Sequence, residues 1–391
     1  MSELLESRWT ETKSALLEGL RGNKKSVMDT TLENTRKYLS ESATAGSTSA
    51  GNVATLNRVI LPVIRRVMPT VIANELVGVQ PMTGPVGQIH TLRVRYADTF
   101  NSTGGTDVSA GEEALSPFKI AEGYSGAAAD DKAASTGSME GLAGNRLSIQ
   151  ILKQTVEAKS RKLSARWTFE SAQDAQSQHG IDVEAEIMAA LAQEITSEID
   201  QEVIGSLTTL AGTATQTYDQ AAVSGTATFV GDEHAALAVT INRVSNLIAQ
   251  RTRRGAGNWA VVSPTVLTIL QSATTSAFAR TTEGTFEAPT NTKLVGTLNN
   301  AMKIYVNTYS SSDNVLVGYK GSTESDAAAF YCPYIPLMSS GVVLDPATFE
   351  PVVSFMTRYG YVELTNAASS LGNAADYLGL VSVTSGNLSF S

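Results

Sequence analysis

Between Ile187 and Leu207 an apolar side chain stands at every fourth position: Ile187, Leu191, Ile195, Ile199, Val203 and Leu207. That period belongs to a helix and not to a strand. Four residues advance about 400° round an α-helix, so the stripe drifts by about 40° at each step. A stripe that winds in this way meets different neighbours along its length. It suits a long spine against which several elements pack, rather than one member of a bundle. Asp182 is placed to cap the N-terminus, and Glu184 and Glu186 favour the first turn. The pattern predicts a helix of about 25 residues.

The remaining elements are shorter. Leu56, Val59, Ile60, Val63, Ile64, Val67, Met68, Val71 and Ile72 repeat at three and four residues, interrupted by Pro62 and Pro69, which predicts a kinked helix or two short ones over 53–76. Strict alternation over Ile89–Tyr96, and again at Leu147, Ile149 and Ile151, predicts two strands. The two strands, joined by the Gly-, Ala- and Ser-rich stretch 97–145, read as a long projecting β-arm with a mobile tip. Trp259–Val262 reads as a buried strand, with Ser263-Pro264 as cap and first residue of a helix. Lys303–Val306, Asn314–Gly318, Ala329–Tyr331 and Pro351–Phe355 are further strand candidates. The class is α+β, without βαβ rhythm or internal repeat, and 391 residues suffice for two or three structural units.

Charge is scarce and unevenly placed. Only 17% of residues are charged and the net charge is −9, which gives the chain no bulk attraction for nucleic acid. Residues 1–41 are the exception, with Glu3, Glu6, Glu11, Glu18, Asp29, Glu33 and Glu41 against Arg8, Lys13, Arg21, Lys24, Lys25, Arg36 and Lys37. Residues 42–57 carry no charge and are rich in Ser, Thr, Ala and Gly, which reads as a linker behind a detachable segment. Arg146–Arg166 holds six bases and one acid, while 167–241 holds twelve acids and no Lys or Arg. Blocks of opposite sign suit chains that pack copy against copy, although solvated faces are the plainer reading of any one of them. The apolar runs are too short to span a bilayer, and the charged N-terminus does not resemble a secretory signal.

Catalytic patterns are missing. There is no G-x-x-x-x-G-K-[ST] and no G-x-S-x-G. His90, His179 and His234 fall on a strand, a helix entrance and a loop, outside any H-E-x-x-H or E-x-x-H context. Glu194, Glu198 and Glu202 share a helical face, which could hold a metal in principle. The Glu-x-x-His of carboxylate metal bundles is absent, so a solvated or inter-subunit acidic face is the preferred reading. Cys332 lies in an apolar run and reads as a small buried hydrophobe. The expectation is a protein that is not an enzyme and that uses no cofactor or metal.

A series of short blocks nevertheless occurs in order: RRVMP (65–69), VQPMTGPVGQ (79–88), VEAKSRKL (156–163), HGID (179–182), RRGAGNW (253–259), VGYKG (317–321), DAAAFYCPY (326–334), DPATFEPV (345–352) and MTRYG (356–360). Together they resemble the major capsid protein family of T-even-related contractile-tailed bacteriophages. The resemblance implies the Hong Kong-type (Johnson) capsid fold, with an extended β-arm (E-loop), a peripheral domain with a long spine helix, and an axial domain. It places a charged helical N-terminal segment, a propeptide, at 1–41, and an N-arm linker and kinked helix at 42–77. The β-arm falls at 78–155, the peripheral strand and spine helix at 156–205, and the axial domain at 206–330. Peripheral return strands and a C-terminal tail occupy 331–391.

The function implied is a major capsid protein. Its copies assemble in the host bacterial cytoplasm, as hexamers and as pentamers of itself or of a related vertex protein, into an icosahedral virion head. That head encloses double-stranded DNA without reading its sequence, and no membrane is involved. Scaffold, portal, decoration protein and prohead protease are the further partners implied. The family's protease cuts after Leu/Ile-x-Glu, so Leu39-Ser40-Glu41 followed by Ser42 is the expected cleavage point, with Glu41 and Ser42 on either side of the bond. Leu4-Leu5-Glu6 and Leu16-Leu17-Glu18 fit the same pattern, but only Glu41 coincides with the charge boundary. Inter-subunit ion pairs are expected between Arg93, Arg95, Lys153 or Lys159 and the spine acids Glu194 or Glu198 of another copy. The arm region 97–145 is shorter than in T-even-type members, which carry an insertion there. An encapsulin-type compartment shell is the nearest alternative by fold. A surface-layer or adhesin protein suits the composition but needs a secretion signal.

Overall fold

The computed structural model describes residues 22–44, 71–112, 114, 121–126, 132–179, 182–219, 230–252, 254–273, 278–280, 293–310, 312–323, 326–348, 350–364 and 374–384, together with Trp9, Lys13, Ser14 and Leu17. In chain order the helices are α1 (Asn23–Thr44), α2 (Ala73–Leu76), α3 (Phe169–His179), α4 (Val183–Ala211), α5 (Val230–Thr252) and α6 (Pro264–Ser272). The strands are β1 (Gly78–Val79), β2 (Val86–Tyr96), β3 (Leu147–Glu157), β4 (Lys159–Arg166), β5 (Gln216–Asp219), β6 (Trp259–Val262) and β7 (Phe278–Arg280). They continue with β8 (Lys293–Leu298), β9 (Met302–Val306), β10 (Asn314–Gly318), β11 (Ala329–Ser339), β12 (Val343–Leu344), β13 (Pro351–Glu363) and β14 (Leu378–Thr384). Two compact units result: Met1–Gly87 with Val156–Ser206 and Ala329–Val362, and Gln88–Thr155 with Leu207–Ala328 and Glu363–Ser391.

The first unit is built on β13, which runs between β11 and β4, with β12 continuing the β11 side and β1 lying parallel to β11. Every second residue of β13 is buried over Pro351–Tyr359, the alternation of a sheet with one covered face. The spine helix α4 has the expected stripe, with Leu191, Ile195, Ile199, Val203 and Leu207 all buried. Asp182 caps it, its Oδ1 accepting from the Glu184 and Ala185 N–H groups at 3.1 and 3.4 Å. The helix runs 29 residues, somewhat past the predicted length.

Helix α1 shows that residues 1–41, which the sequence reads as a detachable piece, pack against the first unit in the intact chain. Val27, Met28 and Leu32 are buried. Asn34 Nδ2 donates to the Met82 and Tyr334 carbonyls at 2.6 and 3.0 Å, and Lys24 pairs with Glu75 at 2.8 Å. This stretch is therefore part of the first unit's core. The helix also continues through Thr44, so 42–44 are not linker. Of the 53–76 helix prediction, only α2 falls among the described residues.

The second unit contains a seven-stranded mixed sheet in the order β5-β14-β10-β6-β9-β8-β7. Its core gathers Leu237, Ile241, Val244 and Ile248 of α5, Val266, Ile269 and Leu270 of α6, and the inward residues of β6, β9, β10 and β14. Ser263 caps α6 as expected, accepting from the Val266 N–H at 3.2 Å. Strand β14 corrects the assignment of 331–391 to peripheral return strands and tail. Leu378–Thr384 pairs with β10 and β5 in this sheet, because its apolar Leu380, Val381 and Val383 find their burial there. Helix α5 corrects a second reading: His234 lies on a buried helix and not in a loop. Its Nδ1 is 2.5 Å from Ser272 Oγ, and burial lowers its pKa.

The remaining part of the second unit is a two-stranded ribbon, β2 with β3. The segment joining the strands is not the featureless loop its composition suggests. Tyr96, Phe100, Val108, Ala114, Ala121 and Tyr124 form a small apolar cluster of their own, with Tyr124 edge-on to Tyr96 and Phe100 at 4.7 and 5.8 Å. Phe100 and Tyr124, with Tyr96 of β2, supply the aromatic area of this cluster in a stretch rich in Gly, Ala and Ser.

Where the ribbon enters the first unit, Val156 passes over Gly360 of β13. A Cβ at Gly360 would stand 2.5 Å from the Val156 side chain and 3.1 Å from the Glu157 carbonyl. The glycine of MTRYG is thus required by a close approach. Gly360→Ala is expected to destabilise the chain by about 1–3 kcal/mol, the usual cost of overpacking. Denaturant unfolding of the purified chain measures it, and an unchanged midpoint would show that Val156 gives way freely.

Candidate assembly interface

Strand β4 brings Arg161 under the spine helix. Its Nη1 donates to Glu198 Oε2 at 2.6 Å, its Nη2 to Glu202 Oε2 at 2.6 Å, and its Nε to the Tyr359 hydroxyl at 2.5 Å. Tyr359 in turn donates to Glu202. Burial works against the charge of Arg161, but the bonds to Glu202 and Tyr359 outweigh it and raise the pKa. Burial likewise opposes ionisation of Glu202, while Arg161 and Tyr359 hold its pKa below the ordinary value. Burial first, and the bond to Glu202 second, raise that of Tyr359. The carboxylates remain about two-fifths exposed, so the cluster contributes on the order of 1 kcal/mol to stability rather than the sum of its bonds.

This arrangement redistributes the expected inter-subunit charges. Glu198 is engaged by Arg161 of its own chain, so one contact between the basic and acidic blocks is made within a single copy. Lys159 belongs to β4, opposite Tyr359, and its charge helps to lower the pKa of Glu202 in the same copy. Lys153 on β3 and Glu194 on α4 are both exposed and make no ion pair among the described residues. Arg95 is half-buried, and its Nε and Nη2 have no hydrogen-bond partner. The side chain of Arg93 lies outside the described residues. The Glu41–Ser42 bond lies in the last turn of α1.

The Glu194–Glu198–Glu202 face, considered for a metal, uses two of its members to hold Arg161. No group of His, Cys, Asp and Glu that could hold a metal occurs among the described residues. Cys332 is buried, and burial pushes its thiol up to about 12, the behaviour of a small hydrophobe. No helix is long and apolar enough to cross a membrane among the described residues.

Several of the sequence blocks meet in the second unit. Asn258 Nδ2 donates to the Lys320 carbonyl at 2.6 Å and its Oδ1 accepts from the Lys320 N–H at 3.0 Å, tying RRGAGNW to VGYKG. Arg254 pairs with Asp326 of DAAAFYCPY at 3.0 Å. A Cβ on Gly318 would stand 2.1 Å from the indole of Trp259. These blocks form one packed corner, which explains their residue types without any catalytic role.

Asp200 is the group that sequence reasoning passed over, because it stands among exposed acids on α4 and nothing local distinguishes it. It is 1% exposed. Its Oδ1 accepts from the Ile72 N–H at 2.8 Å, and its Oδ2 has no partner. Burial pushes its pKa up to about 7, the Ile72 bond opposing the shift. Since the folded value exceeds the unfolded one, the protonated carboxyl favours the fold below about pH 4, and this contribution is lost as pH rises through about 7.

A sequence profile of the family described as "Major capsid protein Gp23" matches residues 53–383. Among curated relatives, the "Major capsid protein" of Vibrio phage KVP40 is 30% identical over 85% of this chain and 81% of its own length. That of Enterobacteria phage T4 is 29% identical over 83% and 78%, and that of Serratia phage KSP90 is 29% identical over 92% and 90%. Among solved structures, "Mycobacterium phage Bobi" is similar with a TM-score of 0.46 and 15% identity, covering 88% of this chain and 98% of that one. "The capsid of Myoviridae Phage XM1" gives 0.45 and 9%, covering 80% and 92%.

The Asp200→Asn variant is expected to remove a pH dependence. Relative to it, wild type loses stability as pH is raised from 4 to 8. Denaturant midpoints of both proteins across that range test this, and parallel profiles would mean that Asp200 does not titrate between them.

Proposed function

Because this chain belongs to the Major capsid protein Gp23 family and is a structural protein of a tailed-phage virion head, we propose that its copies associate as hexamers and pentamers into a closed shell around double-stranded DNA. The family match supports neither an encapsulin-type compartment nor a surface-layer protein. Assembly takes place in the bacterial cytoplasm. Scaffold, portal, decoration protein and protease are the partners such a head requires.

Within a Hong Kong-type arrangement, β4, β11–β13 and α4 form the peripheral domain. The seven-stranded sheet, with β14 included, forms the axial domain. The β2–β3 ribbon is the arm that reaches over a neighbouring copy. The observation that carries the arm reading is the ribbon itself. Two strands alone are marginal in water, yet this pair exposes Leu147, Ile149 and Ile151. A net charge of −9 also suits a wall that encloses DNA without gripping it.

The free charges on the two elements narrow the inter-subunit pairing. With Glu198 occupied in its own copy, Lys153 of one arm and Glu194 of the neighbouring spine helix are the pair proposed. Lys153→Glu is expected to lower the salt concentration at which assembled shells dissociate, measured by light scattering and electron microscopy. Shells of unchanged salt resistance would sink the pairing.

Cleavage between Glu41 and Ser42 is the processing step proposed. The scissile bond lies on α1, so the last turn of that helix must unwind before a protease can bind the chain in extended form. Intact-mass analysis of mature particles is expected to show a protein beginning at Ser42. A coat protein that retains residues 1–41 would end the proposal.

A further inference from the structure

Among the described residues, the side chains that hold α1 to the first unit all stand before the Glu41–Ser42 bond. Val27, Met28, Thr31 and Leu32, spaced along one helical face, are 4%, 1%, 0% and 1% exposed. Asn34 follows on that face at 6%. Its amide donates to the Met82 carbonyl at 2.6 Å and to the Tyr334 carbonyl at 3.0 Å, which uses both of its hydrogens. The Gln80 and Met82 N–H groups donate to the Tyr331 and Pro333 carbonyls at 3.1 and 3.0 Å, so Asn34 closes the seam along which 80–82 lies on β11.

Charge adds little to this attachment. Lys24 pairs with Glu75 at 2.8 Å, but the two side chains are 41% and 36% exposed and salt screens them. Lys13 pairs with Asp29 at 2.8 Å and with Glu33 at 3.4 Å, which ties the N-terminal segment to itself rather than to a sheet. At high salt the docking therefore rests on apolar burial against β11 and on the Asn34 amide. A cut after Glu18, which fits the same cleavage pattern, would still leave Lys24 to Asn34 on one piece with Glu41.

We propose that the first unit is a binding site for its own severed N-terminal segment. After the Glu41–Ser42 bond is cut, 1–41 stays seated without a covalent link, and its release is a second, separately controlled step. This rests on the reading of Glu41–Ser42 as the cleavage point. Water adds across the bond, leaving a carboxylate on Glu41 and an ammonium group on Ser42, and none of the contacts above is touched. The new carboxylate ends a helix, where negative charge is unfavourable, but that effect is confined to the last turn. Asn34 stands about two turns further back. What cleavage changes is the segment's effective concentration, tethered before the cut and free after it.

The test uses the full-length chain with the recognition sequence of a site-specific protease inserted between Glu41 and Ser42, so it does not depend on whether the phage's own protease cuts there. After complete cleavage, checked by intact mass, gel filtration is expected to carry both pieces in one peak at low and at high salt, and to separate them only in denaturant. Prompt loss of the segment in native buffer overturns the proposal. Asn34→Asp keeps the shape of the side chain but sets a carboxylate against two carbonyl oxygens, and it is expected to speed release by about ten-fold. Equal retention would remove the amide from the binding site. Should the inserted sequence disturb folding, hydrogen exchange on the unmodified chain reads the same contact. The amides of 27–34 are expected to exchange as slowly as those of β11, and exchange at the rate of a free peptide sinks the docking. Mature particles that keep residues 1–41 attached would end the cleavage reading and leave the binding site standing.

Discussion

Burying the apolar stripe of α4 brings charged side chains of the same helix against a sheet. A helix of 29 residues that buries Leu191, Ile195, Ile199, Val203 and Leu207 in succession cannot keep all its acids in open water, because the stripe winds. Glu198 and Glu202 are carried to β4 and β13, where they stay about two-fifths exposed and meet a base. Arg161 and Tyr359 answer both. Asp200, on the more deeply buried side, receives a single N–H and has its pKa raised. Much of the first unit follows from that placement: α4 fixes Ile72 before β1, and the strand that holds Arg161 is the one on which the ribbon ends.

The ribbon and the sheets obey different rules. In the sheets of both units, alternation or continuous burial matches a covered face, as in β13 and in the four buried residues of β6. In β3 the same alternation points its aliphatic side chains into solvent. Among the described residues no further strand covers that face. The apolar cluster around Tyr124 shows that described residues of the joining segment pack on one another at the end of the ribbon.

In the N-terminal segment composition conceals a packed helix face. Its charge density and the Ser- and Ala-rich stretch behind it look like a removable tag. Among the described residues, Val27, Met28 and Leu32 of α1, the Asn34 amide and the Lys24–Glu75 pair carry its docking. Each is unremarkable in a list of residues. Together the α1 side chains occupy one face of a helix, and the Asn34 amide satisfies two backbone carbonyls far apart in sequence. The strand Leu378–Thr384 escapes local patterning for a related reason. A short apolar run near a C-terminus has no local mark of the sheet it joins.

Local patterning was sufficient to reveal the spine helix and its Asp182 cap, the two strands of the ribbon, β6 with the Ser263-Pro264 start of α6, and the α+β class. These depend on periodicity and on caps within a few residues. The ordered blocks were sufficient for the family. Sequence alone could not show that Arg161 would take up Glu198 and Glu202, that Asp200 would be the buried acid among many exposed ones, or that β14 would complete the second sheet. Tertiary structure decided these, because each depends on which face of an element is covered and by what. That is a property of contacts between residues tens to hundreds of positions apart, and no local period encodes it.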